Sequence, residues 1–189
     1  MNKHILRTKN KELSILNATI NLVATIPIEH ITIDKIKSAA KVSQVTIYKL
    51  FETKDNLITV AIKELSREAV NSVMKVISSD INPKDRLQGY FRASFNTALL
   101  YPRQKELVEY IFSGSNKDLM HYVVSLYQDT YPHLERLYTD LKAANLIRSE
   151  ISFQKFLSMC DMFTRIQPNF YSTTEDMDML IRSLVRSFG

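Results

Sequence analysis

The sequence predicts an all-α fold of about nine helices, and three observations carry that prediction. Only three glycines and five prolines occur in 189 residues, too few for a chain rich in tight turns. Apolar residues make up 45% of the chain and recur at three- and four-residue spacing over long stretches, the period of helices buried on one face. Between Thr32 and Phe51, two short helical patterns are joined by a turn of a few residues, the arrangement of a helix-turn-helix.

Taken in order, residues 1–11 hold Lys3, His4, Arg7, Lys9 and Lys11 with little apolar content, and a mobile arm is expected there, solvated or tracking phosphates. Leu13, Leu16, Ile20 and Val23 then mark a helix that Pro27 stops, because the residue before a proline is pushed from helical angles. Ile28 and Ile31 are expected to pack in the connection, with His30 a loop residue. Thr32 has the chemistry of an N-cap, and Asp34 favours the positive end of the helix dipole. Ile33, Ile36, Ala39 and Ala40 form one apolar face, and Lys41 and Val42 make the turn. Ser43 is the second N-cap. At about 100° per residue the next helix sets Ile47, Leu50 and Phe51 on one side. Val45 and Lys49, with Gln44 and Tyr48 in part, fall on the other, the candidate reading surface.

These residues carry a resemblance. The run T-I-x-x-I-x-x-A-A-x-V-S from Thr32 to Ser43, the T-I-Y of Thr46 to Tyr48 and the F-x-x-K-x-x-L of Phe51 to Leu57 resemble the TetR family of bacterial transcriptional regulators over about the first 65 residues. Two departures stand out: Lys41 replaces the family's usual turn glycine, and Leu50 its frequent histidine. The resemblance implies a DNA-binding domain over residues 1–60 and a helical regulatory domain over 61–189. It implies that Thr32 and Ser43 present helix N-termini to phosphates, and that Gln44, Val45, Thr46 and Lys49 enter the major groove. Tyr48 and Lys54 would bind phosphate.

Further along, Thr53 caps a long helix over about 54–78, with Leu57, Ile58, Ala61, Ile62 and Leu65 on its apolar side. Asn82 and Pro83, a capping residue and a proline at the first position, open a helix over about 83–100. Tyr101–Pro102 breaks it, another runs to Phe112, and Ser113 to Asn116 reads as a loop. From Lys117 the pattern resumes, and Pro132 must kink or divide it; it stops near Asn145. Phe153, Phe156, Leu157, Cys160 and Phe163 line a further helix that Pro168 ends. A capping box over Thr173 to Asp176 opens the last, lined by Met177, Leu180, Ile181, Leu184, Val185 and Phe188.

These last two stripes would serve an internal core, but the family reading pairs them with a second subunit. It makes Phe153, Phe156, Leu157, Cys160, Met177, Leu180, Ile181, Leu184 and Val185 the interface of a homodimer. The resemblance also implies a small-molecule effector pocket, for which the candidates are Phe91, Phe95, Tyr110, Tyr127, Tyr131 and Phe163, aromatics that combine apolar walls with directing hydroxyls. Tyr171 is among the other aromatics of this region.

Charge agrees with a nucleic-acid partner. Residues 1–60 carry nine Lys/Arg against five Asp/Glu, so +4 of the formal +5 lies in the first third, where phosphate contacts would release condensed counterions. The single cysteine, Cys160, excludes an internal disulfide and, beside Met159, Met162 and Phe163, reads as a buried thiol. No phosphate-binding glycine loop, H-E-x-x-H, paired-cysteine or G-x-S-x-G motif occurs, and neither His121 nor His133 has a sequence-adjacent catalytic partner. No enzyme activity, metal or cofactor is expected. No run of ~18 apolar residues exists and the N-terminal MNKHILRTKNKEL lacks the apolar core of a secretory signal, so a cytoplasmic, membrane-free protein is expected. The expected function is that of a ligand-responsive regulator bound to double-stranded operator DNA, most simply a repressor. The alternative is a DNA-bound structural protein whose helical domain recruits a protein partner.

Overall fold

Helix follows helix along the chain, since its connections are short and its apolar residues fall on single faces. The computed structural model describes residues 3–164 and 173–189, and all the regular structure among them is helical. The chain packs as two units, Met1–Arg67 with Tyr101–Val123 and Glu68–Leu100 with Val124–Gly189.

The first unit is built from α1 (Lys3–Thr25), a 3-10 turn (Ile28–His30), α2 (Ile33–Ala40), α3 (Gln44–Phe51) and the first half of α4 (Lys54–Ile77). To these it adds α6 (Gln104–Phe112) and the first part of α7 (Lys117–Gln128). Ile15, Ile31, Ile36, Ile47, Leu57 and Ile62 are fully buried at its centre. Ile111, Leu119 and Val123 join the same core. Each such side chain contributes about 1.5–3 kcal/mol relative to exposure. The Asn116 side-chain amide donates to Thr59 Oγ1 at 3.1 Å, and Lys63 Nζ lies 5.1 Å from the Tyr122 ring centre, fixing α7 to α4.

Two expectations for α1 are corrected. It begins at Lys3, so residues 3–11 are helical rather than a mobile arm. The segment contains no glycine or proline, and a helix nucleated by packing gains one hydrogen bond for each residue it adds backwards. Its buried stripe is Ile15, Ala18, Thr19 and Val23, with Leu13 48% exposed; the stripe through Leu13 misplaces the first turn of contact.

In the second unit, α5 (Pro83–Leu100) packs against α8 (Tyr131–Ala143), α9 (Phe153–Thr164) and α10 (Thr174–Arg186). Asp85 N–H donates to Asn82 Oδ1 at 2.9 Å, the cap expected there. Leu87, Phe91 and Phe95, four residues apart, are buried among Leu137, Phe156, Ile181 and Phe188. Pro132 divides its segment: α7 ends at Gln128, and α8 takes the proline in its first turn, where a missing N–H costs no hydrogen bond. That division makes ten α-helices among the described residues. The Thr173–Asp176 capping box is present in both directions, each bond 3.1 Å. Pro168 and Tyr171 lie outside the described residues.

The α9 and α10 stripes face inward. Phe156, Cys160, Met177, Ile181, Leu184 and Val185 are each at most 9% exposed in the single chain, while Phe153, Leu157 and Leu180 pack half-buried on the same core. A side chain enclosed by its own protomer offers nothing to a partner, so those six are corrected from interface to core, whereas the three half-buried ones keep part of their surface open. Apolar period alone does not distinguish the two. The outward positions are different ones, Met162 and Met179 at 57% and 58% exposed.

Gly89 of α5 reveals a close helix approach, because an added Cβ would fall on Val76 Cγ1 of α4. Alanine improves helix propensity by about 1 kcal/mol, but overpacking costs about 1–3 kcal/mol and valine is stiff at χ1. Gly89→Ala is therefore expected to lower the denaturation midpoint and Val76→Ala in that background to recover it; a more stable Gly89→Ala single variant would contradict the packing. Burial also pushes up the Cys160 thiol. Burial, with Cys160 nearby, likewise raises the Tyr90 hydroxyl. The native state holds these protons where the unfolded chain releases them, so this contribution is intact at neutral pH and is lost as pH rises past the ordinary thiol value of 9.0. Unfolding midpoints should fall between about pH 8 and about pH 10, and less steeply in Cys160→Ala.

Candidate nucleic-acid interface

The geometry of α2 and α3 follows from their caps. Thr32 Oγ1 accepts from Lys35 N–H at 3.3 Å, and α2 ends where Lys41 turns left-handed at φ 54°, ψ 45°. Val42 N–H reaches back to the Lys37 carbonyl at 3.2 Å, which closes the turn. From α1, Ser14 Oγ donates to the Ala40 carbonyl at 3.1 Å. Ser43 Oγ accepts from Thr46 N–H at 3.2 Å to start α3.

Glu52 ends α3 at φ 65°, ψ −55°, and Thr53 N–H donates to the Phe51 carbonyl at 2.7 Å. That is a γ-turn of the strained, positive-φ kind. Asn56 Nδ2 also donates to Phe51 O at 3.0 Å, and Asn56 N–H to Thr53 Oγ1 at 3.0 Å. Ile47 and Phe51, 0% and 5% exposed, anchor the inner face of α3.

The outer face is open. Val45 is 76% exposed and Tyr48 41%, and Gln44 and Lys49 are exposed too. None of these four makes a side-chain hydrogen bond or ion pair among the described residues. The remaining expected contacts have local work. Thr46 Oγ1 lies 2.9 Å from Ser43 Oγ and is half-buried, so it has a role in the cap as well. Lys54 Nζ donates to the Ile31 carbonyl at 3.3 Å, which ties the start of α4 to the residue before α2. This bond accounts for a lysine at a helix N-terminus, where the dipole disfavours it. Lys37 is paired with Asp34 at 2.6 Å. Lys41 and Lys49 have no such partner among the described residues.

The Thr53 cap expected from the sequence is present. Sequence reasoning missed three other supports of this site, the Ser14 bond, the Glu52 turn and the Asn56 amide bond to the Phe51 carbonyl, because none leaves a signal in residue type alone.

The effector-pocket candidates do not behave as one lining. Phe91 and Phe95 are 0% exposed and stacked at 6.3 Å, with Phe163 5.9 Å from Phe91, so they are core. Tyr131 packs edge-on to Phe153 at 5.8 Å and is 48% exposed, and Tyr127 is 54% exposed. Tyr110 belongs to the first unit. There it lines a cavity of about 60 Å³ with Val23, Ile28, Glu29, Arg103 and Leu107, well below the roughly 300 Å³ at which ligand pockets begin. Among the described residues no cluster of His, Cys, Asp and Glu could hold a metal ion, and no helix is long and apolar enough to cross a membrane.

No family model matches the sequence, and no curated protein matches it. Solved structures do match in fold. The fatty acid degradation regulator FadR from Bacillus halodurans superposes with a TM-score of 0.69 at 15% identity, covering 94% of each chain. A TetR family transcription regulator from Marinobacter aquaeolei VT8 gives 0.66 at 19%, over 95% of this chain and 96% of that one. The TetR transcription regulatory protein from Mycobacterium vanbaalenii gives 0.64 at 15%, over 97% of both. The chain thus has the fold of TetR-family regulators over nearly its whole length.

The two positive-φ residues bounding the turn and α3 are open to measurement. A non-glycine residue in the left-handed region costs about 1–2 kcal/mol, and a residue in a sparsely populated region about 1–3 kcal/mol. Glycine gives back about 0.4–1 kcal/mol through the freer unfolded chain. Lys41→Gly and Glu52→Gly should each raise stability in urea unfolding, the second by more, and Lys41→Val should lower it.

Proposed function

We propose that this chain is a sequence-specific DNA-binding transcriptional regulator of the TetR type. It acts as a homodimer on a palindromic operator, most simply as a repressor whose hold on DNA is altered by a small-molecule effector. The observation that carries the reading is the outer face of α3. Gln44, Val45, Tyr48 and Lys49 stand in solvent without partners among the described residues, on a helix whose inner face and ends are fixed. A valine 76% exposed has no packing role there, and it suits a thymine methyl. Lys49 is a donor for guanine, and the Gln44 amide pairs with adenine. Tyr48 supplies a hydroxyl to phosphate. Thr32 and Ser43 accept from backbone N–H groups at their caps. The Thr32 O–H remains a donor for a phosphate oxygen, and so does that of Ser43 when Thr46 donates in their shared hydroxyl bond.

Residues 1–60 form the reading domain in this proposal and 61–189 the regulatory one, and α4 runs from the one into the other. An effector would shift the spacing of two reading domains by no more than its differential affinity for the two states. A two-fold dimer presents two copies of α3 to two half-sites, which is what makes a palindrome its natural target. This work on DNA places the protein in the cytoplasm and calls for no catalytic group.

The test is binding of the purified protein to DNA from its own upstream region at two salt concentrations, against specific and unrelated competitors. Tight binding of two protomers that survives unrelated competitor is expected. Lys49→Ala or Gln44→Ala should relax preference at individual base pairs by about 1–3 kcal/mol, whereas Tyr48→Phe should weaken all sequences alike. Equal behaviour of the two groups in a binding-site selection would defeat the assignment.

A further inference from the structure

Three exposed cations outside α3, namely Arg7, Lys11 and Lys41, fall on one side of the α1–α2 junction. Ser14 Oγ bonds the Ala40 carbonyl at 3.1 Å, so one face of α1 meets the C-terminal end of α2, immediately before Lys41. At about 100° per residue, Lys11 and Arg7 lie about 60° and about 20° from Ser14 around α1. They follow it by about 4.5 Å and about 10.5 Å towards the N-terminus. Both are exposed, because the helix has there run past the core that buries Ile15 and Ala18 on the same side. Lys9 and Glu12 point to the opposite side, about 140° and about 160° away.

Lys41 itself is exposed and holds a left-handed backbone at φ 54°, a conformation that asparagine or glycine adopts at less cost. Its side chain makes no hydrogen bond or ion pair among the described residues, and neither do those of Arg7 and Lys11. Strain accepted without a return inside the protomer points outward.

We infer that Arg7, Lys11 and Lys41 form a phosphate-binding stripe that extends the DNA contact beyond the reading helix, along the backbone flanking the turn. The inference rests on the DNA-binding function proposed above. Such contacts are blind to sequence and act through released counterions, so they enlarge the salt dependence while leaving base preference alone.

The experiment is a salt titration of the full chain on a mixed-sequence duplex and on its own upstream DNA, comparing Arg7→Gln, Lys11→Gln, Lys41→Asn and the triple variant. Lys9→Gln is the control, and thermal unfolding reports that each variant is folded. Each of the three substitutions should reduce the slope of log K against log salt by about 0.9 per bound protomer, and the triple by about 2.7. Lys9→Gln should leave the slope near that of the parent, and preference for upstream DNA should persist in every variant. An unchanged slope in the triple variant, or a Lys9→Gln effect equal to the others, overturns the stripe while leaving the reading face intact. Failure of the parent protein to bind either duplex overturns the DNA-binding reading and the stripe together.

Discussion

What α3 presents to solvent is set by what holds its other side. Ile47 and Phe51 are enclosed with Ile36, Ala40, Leu57 and Ile58, and that burial fixes the rotation of the helix about its own axis. A helix of eight residues is too short to persist alone in water. Its orientation is a property of the core beneath it and of the bonds at its two ends. If the inner face were looser, the outer residues would still be present but would not be held at the spacing of base edges.

The polar residues around α3 follow from the same constraint. A short helix has as many unpaired terminal groups as a long one, so most neighbouring side chains are taken up in satisfying them. Thr32, Ser43 and Thr53 accept from backbone N–H groups. Ser14 and Asn56 donate to the carbonyls of Ala40 and Phe51, and Lys54 reaches Ile31. After these assignments the residues of α3 itself without local work are Gln44, Val45, Tyr48 and Lys49. Subtraction of structural roles thus isolates a reading face more sharply than residue type does, because Thr46 and Lys54 have suitable chemistry but hold local bonds as well.

The fold was legible because its signals are local. Asn82–Pro83, the Thr173–Asp176 box and the Ser43 cap each announce a helix start through two or three neighbouring residues, and the structure contains all three. Non-local facts left less trace. The stripe Met177, Ile181, Leu184 and Val185 shows that α10 buries one face, yet whether that face meets α5 of the same chain or another subunit depends on contacts far away in sequence. Phe91 and Phe95 posed the same ambiguity between core and pocket. The pair Arg86–Asp140, 2.5 Å apart with Arg86 5% exposed, joins positions 54 apart and could not be anticipated from either residue alone.

The structure is least economical where its proposed function is concentrated. With three glycines in the chain, none of them in this motif, the turn and the end of α3 adopt positive φ at a lysine and a glutamate. A protein selected for stability alone would place glycine at both, as the fold's energetics favour. At Lys41 the retained side chain is a cation beside the start of the reading helix, and its charge is the one property that glycine lacks. At Glu52 the sharp turn allows Thr53 to begin α4 directly, so that Lys54 arrives within reach of Ile31 and the entrance to α2 is tied to the exit from α3. Local strain and global rigidity are therefore the same design seen at two scales: the backbone is bent where it must be, and the core is dense enough to hold it there.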